Sequence, residues 1–573
     1  MKNLRLIFVS TILLITIGLP AQEKKENIEL NENDTLIITP FVNYEKNKGL
    51  SISEKKNLFI SSNNKPEAAK VYLHLDRTSF LKGDTIWYKA YLWHGYDQIP
   101  DYKSILLYVD LLGSDGKAIE RKKLPVHYGI AVGEFILPPN LNEGTYTICA
   151  YTNDRKEPGT VHPFYQAVTI NNPGKSFVWE CNPTLLKGEF IDSLSLGLSF
   201  FEIDTLGDLR KDYLYNVNYS ISLGSRILLE DIINLRNSQE KVIECRLPYL
   251  QQEDTMITVS LSTQTNKRNI QNQFYIPLDK QPDIQFLPEG GFMVNGLESK
   301  VTFKAIGFDG LSREVKGEIR NKEGNTLLGF ESSHKGMGCF TFTPMPGIEY
   351  EAFVEYKEMI YRYPLPKALE EGSVLTLKQS PEDSFYDAMI QCSPSGTDRI
   401  KYLVGTSYGK VRFVTDIKTQ GGTAHLTIPL DSLPEGIVRI TLLDDLFKPE
   451  CERLIYVDKN QRVHFMMAPD SLSYRQRSKV SLIIKAFGAD WKPVEAGLSL
   501  AVVDAAQVIT DDLQSGICSY KLLESELKGF IEDPRFYFKE DGGIRQQELD
   551  LLLLTQGYLL FIHKYKTGEV LIK

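Results

Sequence analysis

One recurring pattern limits the fold of this chain more than any other feature. Residues 71–92, "VYLHLDRTSFLKGDTIWYKAYL", alternate apolar and polar side chains, stop at Lys82-Gly83-Asp84, then alternate again. The same layout of extended piece, polar corner and second alternating run returns at 182–201, 286–310 and 467–488, with a weaker version at 375–396. A period of two puts apolar groups on one face of a strand, and a Gly-containing corner turns the strand back as a hairpin. Starts spaced about 90 to 110 residues apart are too far apart for propeller blades or solenoid turns, and match one β-sandwich each. Between them Asp115-Gly116 and Glu323-Gly324 turn further alternating runs back, and the helices that a parallel sheet needs are missing.

The expectation is therefore an all-β chain of tandem sandwiches. A length of 573 residues demands several cores, and 42% hydrophobic residues supply the apolar surface to build them. We expect sandwiches over 69–173, 174–281, 282–366 and 367–459, and strands of a fifth over 460–508. Helical spacing enters only in a C-terminal segment, 509–573, where "SYKLLESELKGFI" and "QQELDLLLLTQGYLLFI" predict two short helices against or beside the fifth sandwich. Residues 23–68, rich in Asn, Lys, Glu and Ser, are expected to form a loosely ordered leader. Residues 1–22 place Lys2 and Arg5 before an apolar stretch, Leu6 to Leu19, and a Pro20-Ala21-Gln22 exit, the layout of a secretory signal peptide. That stretch falls short of the roughly 20 residues a spanning helix needs, so the mature chain is expected to have no transmembrane helix.

Several function classes drop out. The net charge is −9 and the basic runs are as short as "RKK" at 121–123, which argues against nucleic acid as a partner. The seven cysteines are odd in number and far apart, and the eight histidines show no H-E-x-x-H or paired helical spacing, so neither a metal nor a cofactor is expected. Gly405-Thr406-Ser407-Tyr408-Gly409 matches the G-x-S-x-G of serine hydrolases, but that motif works on a strand-to-helix turn, and here a strand-like "KVRFVTDI" follows. A hairpin is the better account, and no catalytic residue is assigned.

Aromatic residues are more suggestive. Trp87, Tyr88, Tyr91 and Trp93 fall on one strand, with Trp87, Tyr91 and Trp93 on one face and Tyr88 on the other. Core packing accounts for one face; an exposed remainder is a candidate contact surface for a peptide or glycan. A second pattern, Asp then Ser or Thr then an aliphatic residue, has Thr35, Thr85, Ser193, Thr205, Thr255, Ser432 and Ser471 as its middle residues. Turn chemistry is one explanation, since Asp closes turns and an aliphatic residue opens the next strand.

The stretch "KVYLHLDRTSFLKGDTIWYKAYL" resembles the opening of the macroglobulin second-domain type in a family of exported proteins of Bacteroidetes-like bacteria. "FLPEGG", "LVGTSYGKVRF", "EGIVRITLLDDLFKPECERLIYV", "LSLAVVDAAQV", "SELKGFIEDPRFYF" and "ELDLLLLTQGY" are similar to its later landmarks, in order, over about residues 70 to 560. Family members commonly continue into a TonB-receptor plug, and here only "LLFIHKYKTGEVLIK" follows the last landmark. The resemblance implies macroglobulin-like (immunoglobulin-like) sandwiches in the periplasm or at the outer membrane, and O-glycans at some of the seven Ser and Thr. It implies protein partners: a peptidase inhibited by binding, or a TonB-dependent receptor to which the chain presents ligand. The covalent trap of the wider superfamily needs a Gly-Cys-Gly-Glu-Gln thioester, which no cysteine here provides.

Overall fold

The alternating runs become antiparallel strands. The computed structural model describes residues 51–63, 69–94, 98–152, 163–171, 176–186, 193–203, 214–236, 240–248, 256–265, 268–278, 281–307, 309–357, 359–379, 384–394, 400–471, 473–475, 477–503, 515–539 and 543–556. The signal-peptide reading, Thr35, Thr205 and Thr255 lie outside the described residues.

In the first sandwich, Ala69–Leu75, Thr85–His94 and Ile130–Ile136 form one sheet. Ala118–Pro125, Leu106–Leu112, Gly144–Thr152 and Phe164–Asn171 lie in that order in the other, with the short Ser79–Leu81 beside the last. Counting the seven long strands along the chain, the first, second and fifth make one sheet, and the fourth, third, sixth and seventh are successive neighbours in the other. That order recurs over Ser176–Leu186 to Arg268–Pro277, Asp283–Pro288 to Met359–Pro364 and Ser373–Lys378 to Pro449–Val457. It is an immunoglobulin-like sandwich whose fourth strand has joined the opposite sheet from that of the constant-type domain.

The chain divides into two compact units, Asn171–Ile284 with Ala305–Arg313, and the remainder. In the smaller unit Leu194, Leu196 and Leu198 alternate inward from Ser193–Ile203 to meet Val217, Tyr219 and Ile221, so the two-residue period directly builds its core. In the larger unit the same logic gives the first and fourth sandwiches their own cores.

Three features of the larger unit depart from expectation. Within the expected leader, Ile52–Asn63 form a helix. Ser51 and Glu54 make a reciprocal capping box (Ser51 N to Glu54 Oε2, 2.8 Å; Glu54 N to Ser51 Oγ, 3.3 Å). Phe59 is buried with its ring 5.5 Å from that of Phe447, and Lys56 pairs with Asp416 at 2.6 Å, so the helix is held by the fourth sandwich. Next, the described part of the fifth module is one hairpin, His464–Pro469 with Leu482–Phe487. The alternating 494–503 joins no ladder there; it lies on the outer face of the first sandwich, where Lys89 Nζ donates to the Leu498 carbonyl at 2.9 Å.

The third departure concerns the C-terminal helices, whose apolar side chains enter the first, third and fourth sandwiches. Ile517–Ser519 runs on into a π-helical turn, Tyr520–Glu524. Ile517 joins the core of the first sandwich, and the Tyr520 ring lies 5.6 Å from Tyr72, 5.3 Å from Phe164 and 6.3 Å from Trp93. The helix Gln546–Gln556 sends Leu549, Leu552 and Leu553 into a cluster with Met337, Leu454, Tyr456 and Tyr537. Beside it runs a buried ion chain: Arg453 Nε meets Glu289 Oε1 at 2.8 Å, Arg453 Nη2 meets Asp550 Oδ1 at 2.6 Å, and Lys300 Nζ lies 3.4 Å from Asp550 Oδ2.

The Tyr520–Glu524 turn carries a pH dependence. Burial pushes the Glu524 carboxyl from 4.5 up to about 7, against opposing hydrogen bonds from Ser515 and Ser519. Burial also pushes Lys521 from 10.5 down to about 8, opposed by Cys518 and Glu435; its Nζ donates to the Gln98 carbonyl at 3.2 Å and lies over the Trp93 ring. The raised Glu524 gives stability that is full below pH 4.5 and lost as pH rises through 7; the lowered Lys521 gives stability that is full above 10.5 and lost as pH falls through 8. The docked turn is thus weakest between pH 7 and 8. Both groups are half-buried, so screening trims the effect. Glu524→Gln is expected to remove a fall of about 1–2 °C in Tm between pH 5 and pH 7, read by differential scanning fluorimetry; an unchanged pH profile in that variant would contradict this assignment.

Candidate functional site: a groove on the first sandwich

The strand Thr85–His94 is the middle of a three-stranded sheet, with register pairs His74↔Lys89↔Val132 and Trp87↔Glu134. Odd-numbered residues face outward and even-numbered ones inward, where Ile86 and Tyr88 enter the core. The outward row does not stay open along its length. Tyr91 is covered by 494–503, its hydroxyl donating to Ser499 Oγ at 2.9 Å, and Trp93 is covered by Tyr520 and Lys521. Tyr91 and Trp93 are therefore buried, and Trp87 is 57% exposed.

Where the cover ends, a groove of about 580 Å³ opens. Its floor holds His74, Lys89 and Trp87, one wall is the backbone and side chains of 499–501, and the other side is the strand Ile130–Ile136 with Lys122 and Leu124. Val132 is 68% exposed at its rim, an apolar surface beside the indole. Tyr88 lies beneath, on the inward face, with its ring passing across Gly133: a Cβ there would sit 2.7 Å from the Tyr88 hydroxyl and 2.8 Å from Leu124 Cδ1, so a larger residue would have to displace the phenol. Two buried polar atoms here, Tyr88 Oη and His74 Nε2, have no hydrogen-bond partner among the described residues. An unpaired buried donor or acceptor costs about 1–3 kcal/mol, which a ligand group reaching them would recover.

Of the four aromatic residues singled out by sequence, the structure brings Trp87 and Tyr88 into this groove and places Tyr91 and Trp93 under later segments. Asp76, Glu134 and Ser499 were not singled out, and His74 was not assigned to a site. His74 between Leu73 and Leu75 carried a signal, a polar group facing away from the core; Ser499 carried none beyond its place in an alternating run.

The contact of His74 Nδ1 with Ser499 Oγ, 2.5 Å, is the one a nucleophile makes with its base. The rest of that constellation differs. Among the described residues the other imidazole nitrogen has no carboxylate to orient it, Tyr91 shares the same hydroxyl, and burial with nearby Lys89 pushes the imidazole pKa down. We read the contact as a clasp that, with Lys89, pins 494–503 to the sheet. Ser407 ends the strand Ile400–Ser407, and a two-residue hairpin with Tyr408 at φ 49° and Gly409 at φ 71° leads directly into Lys410–Lys418. Its Oγ accepts Arg412 Nε at 2.7 Å and the residue is buried, so this serine stands on a mirror-image β-turn and not on a nucleophile elbow. Ser407→Ala is expected to leave binding unchanged and, by taking the acceptor from the Arg412 guanidinium, to cost about 1–3 kcal/mol, read as a fall of a few degrees in Tm.

Among the serines and threonines of the Asp-Ser/Thr-aliphatic triplets, Thr85 and Ser193 open strands and are half-buried, and Ser432 and Ser471 sit exposed on turns. Turn chemistry is visible at two of these corners: Asp84 Oδ2 accepts Leu81 N at 2.9 Å and Asp470 Oδ1 accepts Ser481 N at 3.0 Å. Among the described residues no cluster of three His, Cys, Asp or Glu is placed to hold a metal, and no helix is long and apolar enough to cross a membrane.

No protein-family model and no curated protein matches the chain. Among solved structures it is similar to alpha-2-macroglobulin of Escherichia coli in its native conformation (13% identity, TM-score 0.31, covering 74% of this chain and 32% of that one). It is likewise similar to the trypsin-activated form of the E. coli protein (13%, TM-score 0.32, 74% and 33%) and to Salmonella alpha-2-macroglobulin reacted with methylamine (13%, TM-score 0.31, 74% and 32%). The chain spans about a third of the length of each of these (32%, 33% and 32%).

Proposed function

We propose that this chain is an exported, non-enzymatic, macroglobulin-like binding protein that receives an extended segment of a protein partner in the groove beside Trp87. One observation carries the reading: an exposed indole and exposed Val132 share a groove with two buried polar atoms that have no partner among the described residues. Aromatic anchors flanked by apolar surface dominate binding energy at protein interfaces, and an extended segment offers backbone groups that match orphaned donors and acceptors. The partner class we favour is an endopeptidase, inhibited by binding alone, because the cysteines lack a thioester motif. Export follows from the leader of residues 1–22, and O-glycans at Ser432 and Ser471 from their exposed positions within the triplets.

The direct test uses reduced, carbamidomethylated lysozyme as an unfolded probe and the full chain as receptor. Wild type is expected to bind it, and Trp87→Ala and Gly133→Ala to bind at least about tenfold more weakly. Equal binding by wild type and Trp87→Ala would move the site elsewhere. For the finer reading, cleavage of casein by a panel of endopeptidases should slow in a Trp87-dependent way at micromolar excess of the chain, and unslowed cleavage across the panel would reduce the proposal to binding. Intact mass of the chain purified from its host should exceed the bare polypeptide by whole glycan units; a bare mass would remove the glycan assignment.

A further inference from the structure

We propose that the groove selects segments carrying a lysine or arginine, whose cationic head lies over the Trp87 indole between the carboxylates of Asp76 and Glu134. This rests on the reading of the groove given above and adds the chemistry of what enters it.

Charge balance on the groove floor leads to this choice. Glu134 stands directly across the ladder from Trp87, on the same outward face, and makes no ion pair among the described residues. Directly opposed residues on one face of a sheet have Cβ atoms about 5 Å apart, so the carboxylate borders the indole. On the other side, Asp76 Oδ1 accepts the Trp87 backbone N–H at 3.1 Å. Its second oxygen lies 3.7 Å from Arg77 Nη1, a long contact, and Arg77 commits Nη2 to Asp84 at 2.6 Å. Of the nearby cations, Lys122 Nζ pairs with Glu120 at 2.7 Å; Lys89 keeps its charge but turns its Nζ to the neutral Leu498 carbonyl at 2.9 Å and pairs with neither carboxylate among the described residues. Two under-neutralised carboxylates therefore flank an indole that itself meets no ring and no cation among the described residues.

An aromatic face bordered by carboxylates is the environment that stabilises a partly desolvated ammonium or guanidinium, through the ring quadrupole and through charge-assisted hydrogen bonds. A neutral side chain of the same length would leave Asp76 and Glu134 facing a covered, poorly hydrated space, which penalises it further. Side chains on one face of an extended segment recur about every 7 Å, so a basic residue over Trp87 brings the residue two positions away toward Val132 or Leu500, which are 68% and 43% exposed. The expected ligand is thus a segment with a basic residue and an aliphatic one at alternate positions.

The test is a random decapeptide library displayed on phage, panned against the full chain and counter-selected against Trp87→Ala. Because Trp87 is largely exposed, its removal leaves the core intact, and circular dichroism confirms this for each variant. The expected outcome is enrichment of Lys or Arg at one position, with synthetic winners losing about tenfold in affinity when Arg is replaced by citrulline, and losing that preference in Glu134→Gln. The preference should also shrink as salt rises. Trp87-dependent peptides with no basic bias would overturn this inference and leave the groove reading standing. Enrichment that ignores Trp87 would overturn both, and displacement of winners by neutral oligosaccharides with no basic bias would assign the indole to glycan stacking instead.

Discussion

Replacing Arg453 by methionine is expected to cost about 3–5 kcal/mol of unfolding free energy. The guanidinium is almost wholly buried and is the link between Glu289, which is fully buried on the third sandwich, and Asp550 on the C-terminal helix. Removing it leaves the Glu289 carboxylate without its ion partner, holding among the described residues only the long 3.3 Å bond from Leu377 N. The cost is that of an uncompensated buried charge and not of a lost attraction, so the double variant Arg453→Met with Glu289→Gln should recover a large part of it. Urea unfolding of the three proteins decides this. A single-variant loss under about 1 kcal/mol would reduce the ion chain to the rank of a surface pair. Burial raises the Asp550 carboxyl, but Arg453 and Lys300 more than offset this and leave it below its ordinary 3.8. Its contribution is present above that value and lost as pH falls through the lower folded one, so acid weakens this joint only below pH 3.8.

Leu552→Ala is expected to cost about 2–5 kcal/mol, the range for truncating a fully buried leucine where the site relaxes only in part. Leu552 is 1% exposed in a cluster that also holds Tyr456, Tyr537 and Met337. The helix that carries it, Gln546–Gln556, has 11 residues, and a helix that short is marginal alone in water. Docking therefore forms the helix. Losing the cluster should loosen the whole helix, and hydrogen exchange should show its amides opening together in the variant. A loss confined to the amides next to position 552 would mean that the helix stands without the cluster.

The sandwiches were legible because their cause is local. Strand parity in "SLSLGLSFF" or "TIWYKAY" states which residues face inward, and Leu194, Leu196, Leu198, Ile86 and Tyr88 do. Parity also put Trp87, Tyr91 and Trp93 on one side, but it cannot say what covers that side. The cover comes from residues far along the chain: Lys89 and Leu498 are 409 positions apart, and Trp93 meets Lys521 and Tyr520. Which of three equivalent aromatics stays exposed is therefore a tertiary property. The helix Ile52–Asn63 escaped for a similar reason. "ISEKKNLFISSN" has a polar composition that reads as a solvated leader, and the ring that holds Phe59 belongs to Phe447. The capping box Ser51 to Glu54 was the signal available for it. For the C-terminal helices, leucine spacing gave the element but not its destination, because apolar faces carry no address until shape and the ion chain fix one.

The account stands on the outward face of the first sandwich being where a partner lies. Hydrogen–deuterium exchange of the full chain, with and without a saturating Trp87-dependent peptide, tests it most directly. Protection is expected in the strand Ile130–Ile136, in residues 85–89 and in 498–501, with the hairpin His464–Pro469 and Leu482–Phe487 unchanged. Protection of that hairpin or of another sandwich, with those three segments exchanging as in the free chain, would contradict it.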